Sequence, residues 1–240
     1  MLTGVPREVP STRRPAQRVN AQTATLRWAP TLPSGLRSLV DLPAESLLDG
    51  MLAESEFTQL QLQGSRWSGT EIRTCRFESG VFQQAHFQGV TFENCVLHNC
   101  DLTGVRLDAC GLSHVVFSHC RLDGLTAVDT SFDGVIIEDS NVSLANFRFL
   151  KTFNVLFKAS MLSEVDFTGA RLERTLFEKC NLRQADFTRV TAQGVDLRGS
   201  DLDEIRGVAS LKGATIGRLQ LFGLALSLAR DAGISVADAD

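Results

Sequence analysis

The sequence predicts an all-β fold, a parallel β-helix of square cross-section with a helical cap at its C-terminal end, and three observations predict it. From Phe57 to Leu202 every fifth residue falls in one unbroken register, and 27 of these 30 positions hold a large apolar side chain, mostly Phe or Leu. The residue two places before each such centre is small or medium and never charged, as at Cys75, Ala85, Val90, Cys95, Val105 and Ala170. The residue one place after the centre is polar in 28 of 30 cases. A period of five suits neither an α-helix nor a strand, so the chain reads as an internal repeat. If it turns a corner every five residues, with the centre and the inner slot two places before it facing inward, a four-sided coil closes after twenty residues. Thirty centres make about seven and a half coils, a shaft ~36 Å long at parallel strand spacing. Each coil packs only on its neighbours, and the interior is filled by stacked side chains rather than a pocket.

The elements follow in chain order. Residues 1–24 carry Arg7, Arg13, Arg14 and Arg18 among prolines and polar residues, and are expected to be a disordered tail. Four arginines without interleaved aromatics are a weak signal for a nucleic-acid or membrane contact. Residues 25–53 are more apolar, with Leu26, Trp28, Leu32, Leu36, Leu39, Leu47, Leu48 and Leu52, and read as an ordered arm and N-terminal cap over the first coil. All six prolines precede residue 44. None falls in the β-helix expected over 54–206, where each strand needs its amide hydrogens for the coil beside it. The chain has no Tyr beside 15 Phe, because an interior centre offers a phenolic hydroxyl no partner. The six cysteines, Cys75, Cys95, Cys100, Cys110, Cys120 and Cys180, all occupy the inner slot. Stacked pairs such as Cys75 with Cys95 would hold β-carbons at ~4.8 Å, against the ~3.8 Å of a disulfide, so they read as reduced packing residues.

Residues 207–240 leave the register at Gly207, and Leu211 and Ile216 resume it one residue early for a partial coil. Arg218 to Arg230 then reads as a helix with Leu221, Phe222, Ala225, Leu228 and Ala229 on one side, ended by Gly233. Leu219 and Leu226 widen the apolar band beyond one side, and the helix is expected to plug the last coil.

Cys100-Asp101-Leu102-Thr103-Gly104, Ala170-Arg171-Leu172-Glu173-Arg174, Cys180-Asn181-Leu182-Arg183-Gln184 and Ala185-Asp186-Phe187-Thr188-Arg189 carry a further reading. Their pattern, across some 150 of 240 residues, resembles the pentapeptide-repeat family, including its Qnr-type, gyrase-protecting members. The resemblance implies a right-handed quadrilateral β-helix. It also implies a head-to-head dimer through the C-terminal ends, in which Leu219, Phe222 and Leu226, with the Ile234-Ser235-Val236 tail, would form the interface as well as cap the coil, and a role as a DNA mimic: an acidic shaft that occupies the DNA-binding saddle of DNA gyrase or topoisomerase IV and competes with DNA or displaces a drug.

No constellation of side chains in the sequence points to catalysis. A catalytic site needs convergent polar groups in a cleft, and this fold offers outward faces. His86, His98, His114 and His119 are scattered; His114 and His119 lie on neighbouring faces, too far apart for one metal. No nucleophile motif and no phosphate-cradling glycine loop is present, and the glycines fall mostly at corners, as at Gly64, Gly104 and Gly199. No enzyme activity, cofactor or metal is expected. The chain lacks a leader pattern and any uninterrupted apolar run of the length that crosses a bilayer, which points to a cytoplasmic protein without membrane contact.

Three surface features remain. Leu122 to Phe147 holds Asp123, Asp129, Asp133, Glu138 and Asp139 with no base before Phe147, the candidate partner surface of a protein that binds a topoisomerase rather than nucleic acid. On one face the slot just before the centre runs Val96, Val116, Ile136, Leu156, Leu176, an apolar stripe bounded by Arg76 and Asp196. Such a stripe calls for a cover, either the chain's own arm or a partner or dimer mate. Between Val142 and Phe157 the repeat is spoiled, with Thr152 in a centre slot, Leu144 and Phe149 at corners and Phe153 just after a centre. The expectation is a distorted coil in which Phe153 turns inward in place of Thr152; the alternative is two phenylalanines, Phe149 and Phe153, presented to a partner. The lead function is a DNA-mimicking binder of a type II topoisomerase, and the alternative a protein-interaction scaffold that uses the apolar stripe.

Overall fold

The computed structural model describes residues 30, 32–39 and 50–237, so the basic tail and most of the expected arm lie outside the described residues. The described chain forms a parallel β-solenoid of about seven coils with one C-terminal helix. Within the shaft the pairing joins residues twenty apart, as in Val96 to Val116, Leu156 to Leu176 and Asp101 to Arg121. Four faces result. Face 1 carries the centres Phe57 to Leu197, face 2 Leu62 to Leu202, face 3 Trp67 to Phe187 and face 4 Leu52 to Ala192.

The hydrogen-bond ladder runs along the shaft. In one repeat of face 2 the Leu62 amide donates to the Val81 carbonyl at 2.8 Å, the Gly64 amide to Gln83 at 2.9 Å and the Val81 amide to Leu60 at 2.8 Å. Every corner from Glu54 to Glu204 has a positive φ, and 22 of those residues are not glycine. Inside, phenylalanines stack coil on coil: Phe157 on Phe177 at 4.9 Å between ring centroids, and Phe167 on Phe187 at 5.2 Å. Rings of faces 1 and 3 meet across the interior, Phe167 against Phe177 at 5.9 Å. They do so edge to face, which suits the charge distribution of the rings.

The coil starts earlier than the sequence suggests. Met51–Ala53 already pairs in register with Glu71–Arg73, because Leu52 fills a centre slot. Below face 1, Arg37–Leu39 adds a parallel strand to Ser55–Phe57 at an offset of eighteen residues rather than twenty.

Two expectations need correction. The stretch Lys151–Lys158 pairs in full register with Arg171–Glu178, so the coil around Thr152 is regular. Thr152 stays inside, where its hydroxyl lies 2.6 Å from the Thr175 hydroxyl and accepts the Glu173 amide at 3.3 Å. Phe153 stays outside, 38% exposed. Satisfying one hydroxyl is less disruptive than breaking a ladder to exchange two residues. The second correction concerns the helix, α1 (Gln220–Asp231), which turns Leu224 and Ser227 to the shaft and leaves Leu221, Phe222 and Leu228 exposed. Its orientation is set at its first residue: the Gln220 amide group donates to the carbonyls of Leu197 at 2.7 Å and Ser200 at 2.6 Å. Between shaft and helix the chain leaves the coil at Gly207, where an added β-carbon would meet the Thr188 amide nitrogen at 2.4 Å. A 3-10 turn (Val208–Leu211) follows, and Thr215 rejoins beside Asp196, one residue short of the usual offset as expected.

Phe167 touches four other rings and is fully buried. Phe167→Ala should cost ~3 to 5 kcal/mol through the cavity it leaves, whereas Thr188→Ala, just after a centre, should stay within ~0.5 kcal/mol. Urea melts that gave equal losses would contradict the inward and outward assignment.

Candidate functional surface

The side chains available to a partner are those of the slots just before and just after each centre and of the corners. The five acids of the Leu122 to Phe147 stretch occupy successive sides of one coil. Asp123 is on face 2, Asp129 at the corner ending face 3, Asp133 on face 4, and Glu138 and Asp139 on face 1 and its corner. They form a belt around the shaft, and no flat partner can touch all five. Asp123 lies 3.9 Å from Arg121, and Glu138 lies 3.5 Å from Lys158; among the described residues the other three have no ion pair.

Charge is concentrated along the shaft on face 2 instead. It carries Asp101, Asp123, Glu164, Asp201, Asp203 and Glu204 against Arg121 and Arg183 alone. Arg121 lies between Asp101, at 3.4 Å, and Asp123. Arg183 lies between Asp203, at 2.8 Å, and Asp201, at 3.9 Å. Each cluster keeps a surplus negative charge, and among the described residues Glu164 and Glu204 face no base. Burial raises the Asp101 carboxyl, but hydrogen bonds from Thr103 and Gln83 and the charge of Arg121 outweigh it and hold the group below the usual carboxylate range. Acids twenty residues apart are scattered in sequence and adjacent in space, so a search for contiguous acidic stretches passes over them. Reading charge at intervals of twenty finds them.

The other predicted residues fall in separate places. Phe149 and Phe153 stand at opposite edges of face 4, each beside a guanidinium, Arg148 at 5.9 Å and Arg174 at 5.6 Å from the ring centres. At that range a guanidinium is attracted to the face of the ring. The Phe149 ring lies against Gly169, where a β-carbon would approach it to 2.7 Å. Leu219, Phe222 and Leu226 are exposed together at the C-terminal end, the first two at 83% and 78%. Val96, Val116, Ile136, Leu156 and Leu176 do form a continuous ladder on face 1.

The chemistry of the interior is that of packing. All six cysteines are free and buried. Burial pushes the Cys110 and Cys180 thiols up to about 11. In the stacked pairs Cys95 is raised by its hydrogen bond to Cys75 and then by burial, and Cys100 likewise by Cys120. Histidines are tied to neighbours in the next coil, His86 to Asp108 at 2.6 Å and His98 to Ser118 at 2.8 Å. Among the described residues no group of three His, Cys, Asp or Glu side chains could hold a metal ion, and no helix is long and apolar enough to cross a membrane.

The family signature described as a pentapeptide repeat region matches residues 70–147, and eight copies of the pentapeptide repeat match residues 156–203. Together these cover just over half of the chain. No curated protein matches. Among solved structures, full-length QnrB1, a plasmid-mediated fluoroquinolone resistance protein, is 19% identical over 81% of this chain and 97% of its own, with a TM-score of 0.44. HetL, involved in heterocyst differentiation regulation in the cyanobacterium Nostoc, is 16% identical over 75% of this chain and 89% of its own, with a TM-score of 0.42. A thylakoid-lumen protein of Arabidopsis thaliana is 16% identical over 63% of this chain and 74% of its own, with a TM-score of 0.22.

The raised thiols make stability fall in alkali. An unfolded Cys ionises near pH 8.5 and a folded Cys110 or Cys180 near 11, so their contribution is complete below the lower value and lost as pH rises towards the upper. Cys110→Ala with Cys180→Ala should flatten the decline in urea stability between about pH 8.5 and 11 relative to the parent. An unchanged slope would show that these thiols are not shifted.

Proposed function

The chain belongs to the pentapeptide-repeat family, and on that premise we propose that it is a non-catalytic, cytoplasmic protein that binds a type II topoisomerase, DNA gyrase or topoisomerase IV, as a DNA mimic. It would protect the enzyme from poisons or inhibit it. The observation that carries this reading is face 2, a straight ladder with six acids and two bases. Magnitude sets its terms. Over ~36 Å a duplex carries about twenty phosphate charges, several times what face 2 offers. Recognition therefore rests on the shape of the shaft and on carboxylate hydrogen bonds, with a modest salt dependence. The scaffold reading through the apolar stripe is weaker, because Ile136 and Leu156, at its middle, are buried at 6% and 1% exposure and offer a partner little surface.

Two copies joined end to end would double the length of the acidic face. The C-terminal end favours this, because Leu219, Phe222 and Leu226 gather apolar surface that the shaft leaves uncovered.

In a gyrase supercoiling assay the protein should inhibit the enzyme or relieve a fluoroquinolone. Glu164→Gln, Asp203→Asn and Glu204→Gln together should weaken this several-fold, and more than neutralising Asp129, Asp133 and Asp139, which face three directions. No inhibition, no relief and no binding at low salt would end the topoisomerase reading. Phe222→Asp with Leu226→Asp should convert a dimer to a monomer in sedimentation; a monomeric parent would remove the dimer but leave the acidic face to be tested.

A further inference from the structure

Face 4 is nearly balanced in total charge, but its charges are sorted along the shaft. With its two corners, it holds Glu71, Glu93, Asp129 and Asp133 against Arg73 alone in its lower rows. Its upper rows hold Lys151, Arg171, Arg174 and Arg189 against Glu173 alone. Below, Arg73 is placed between Glu71 at 2.9 Å and Glu93 at 3.4 Å. Above, among the described residues, none of the four bases has an ion pair, whereas Arg121 and Arg183 on face 2 each sit between carboxylates. Lys151 pairs in register with Arg171, so two like charges stand one strand spacing apart, ~4.8 Å at the backbone. Like charges opposite each other on neighbouring strands are destabilising.

Two aromatic rings flank Lys151. Phe149 and Phe153 are 47% and 38% exposed. Phe149 is the only phenylalanine at a corner, with a φ of 59°, on the edge that carries Gly69, Gly89 and Gly169. For a bulky residue that backbone is a strained outlier, and a half-exposed ring recovers little by burial. Gly169, in the row above, leaves room for the ring to lie along the shaft, since a β-carbon there would meet it at 2.7 Å. Between the column of Lys151, Arg171 and Thr191 and that of Phe153, Glu173 and Gln193 runs a shallow groove. From Ser131 to Thr191 it crosses three strand spacings, ~14 Å, the length of about four or five extended residues.

The walls of this groove select an occupant. Guanidinium groups take carboxylates through paired hydrogen bonds, and an extended segment turns successive side chains to opposite sides. Carboxylates on one side would meet Lys151 and Arg171 while apolar side chains on the other meet Phe153. A nucleic-acid strand fits less well. Arg148 and Arg174 already lie over the two rings on which its bases would stack. Asp133 and Glu173, the ladder neighbours of Phe153, repel phosphates.

We propose that the upper half of face 4 docks an extended acidic segment of another protein, one in which carboxylates alternate with apolar or aromatic side chains. The segment neutralises the Lys151 and Arg171 pair and covers the two rings. Face 4 lies opposite face 2, so both surfaces can be occupied at once, and the assignment does not rest on the topoisomerase reading.

The probe is a short fluorescein-labelled peptide in which glutamate and phenylalanine alternate. Its anisotropy should rise on addition of the full chain at low salt, and added salt should weaken the binding. Lys151→Glu with Arg171→Glu should abolish binding, and Phe153→Ser should weaken it several-fold, with the urea transition kept because these slots face outward. Should the charge reversal fail to fold, Lys151→Gln with Arg171→Gln makes the same comparison. Phe149→Gly should also weaken binding, yet leave the urea midpoint level or raised, because glycine relieves the strain of that corner. No binding of the peptide, equal binding of one with lysine in place of glutamate, or binding that survives loss of both charges would each overturn the proposal. A lowered urea midpoint in Phe149→Gly would do so as well, by making the ring a packing group. Tighter binding of an oligothymidine, lost in the same variants, would assign the surface to single-stranded nucleic acid instead.

Discussion

The structure depends on its corners. A square coil needs the chain to change direction every five residues, and each corner does so with a left-handed residue. For residues with a β-carbon that conformation costs of order 1 to 2 kcal/mol, and 22 of the corners are such residues, Thr74 with its branched β-carbon among them. Only a minority of them are Asn, Asp or His, which tolerate it best. The strain persists because most corner amides are bonded to the next coil, as Gln59 to Glu78 at 2.8 Å and Asn99 to Ser118 at 3.0 Å. Remove the neighbouring coil and the corner loses its reason to stay bent. Ladder and turn therefore hold each other, and no single repeat is an independent unit.

That mutual dependence explains what the sequence made legible. Whether a residue lies inside or outside is a local property, so the centres, the small inner slots and the reduced state of the cysteines could be read one repeat at a time. Thr152 marks where this fails. Its hydroxyl is acceptable inside only because Thr175 stands ready 2.6 Å away, a partner 23 residues on that a five-residue reading does not see. The acids fail for the same reason in reverse: Asp123 to Asp139 are close in sequence and dispersed around the coil, while Asp101 and Asp123 are distant in sequence and share Arg121. The facing of α1 was hidden by a different cause, since its apolar residues encircle it and one amide side chain, that of Gln220, decides which of them turn inward.

Seen from outside, the shaft is a grid with rows twenty residues long. Its faces differ in kind: one carries an apolar ladder between its charges, one has the largest surplus of acids, and the other two carry nearly balanced charge. Because outward slots do not reach the packed interior, a face can acquire a binding character without altering the fold beneath it. Function in such a protein is written on faces rather than gathered in a cleft, and a partner is matched by the length and spacing of a row.

The same ladder carries a hazard that its upper end contains. Parallel strands stacked at about 4.8 Å, in register and with like residues aligned, are the arrangement of a cross-β fibre, and an unfinished last coil would present growth sites to any other chain. Gly207 turns the backbone out of the coil, and the Gln220 side chain occupies the carbonyls of Leu197 and Ser200. The molecule is in this sense a fibril one chain long, and those two residues act as its chain terminators.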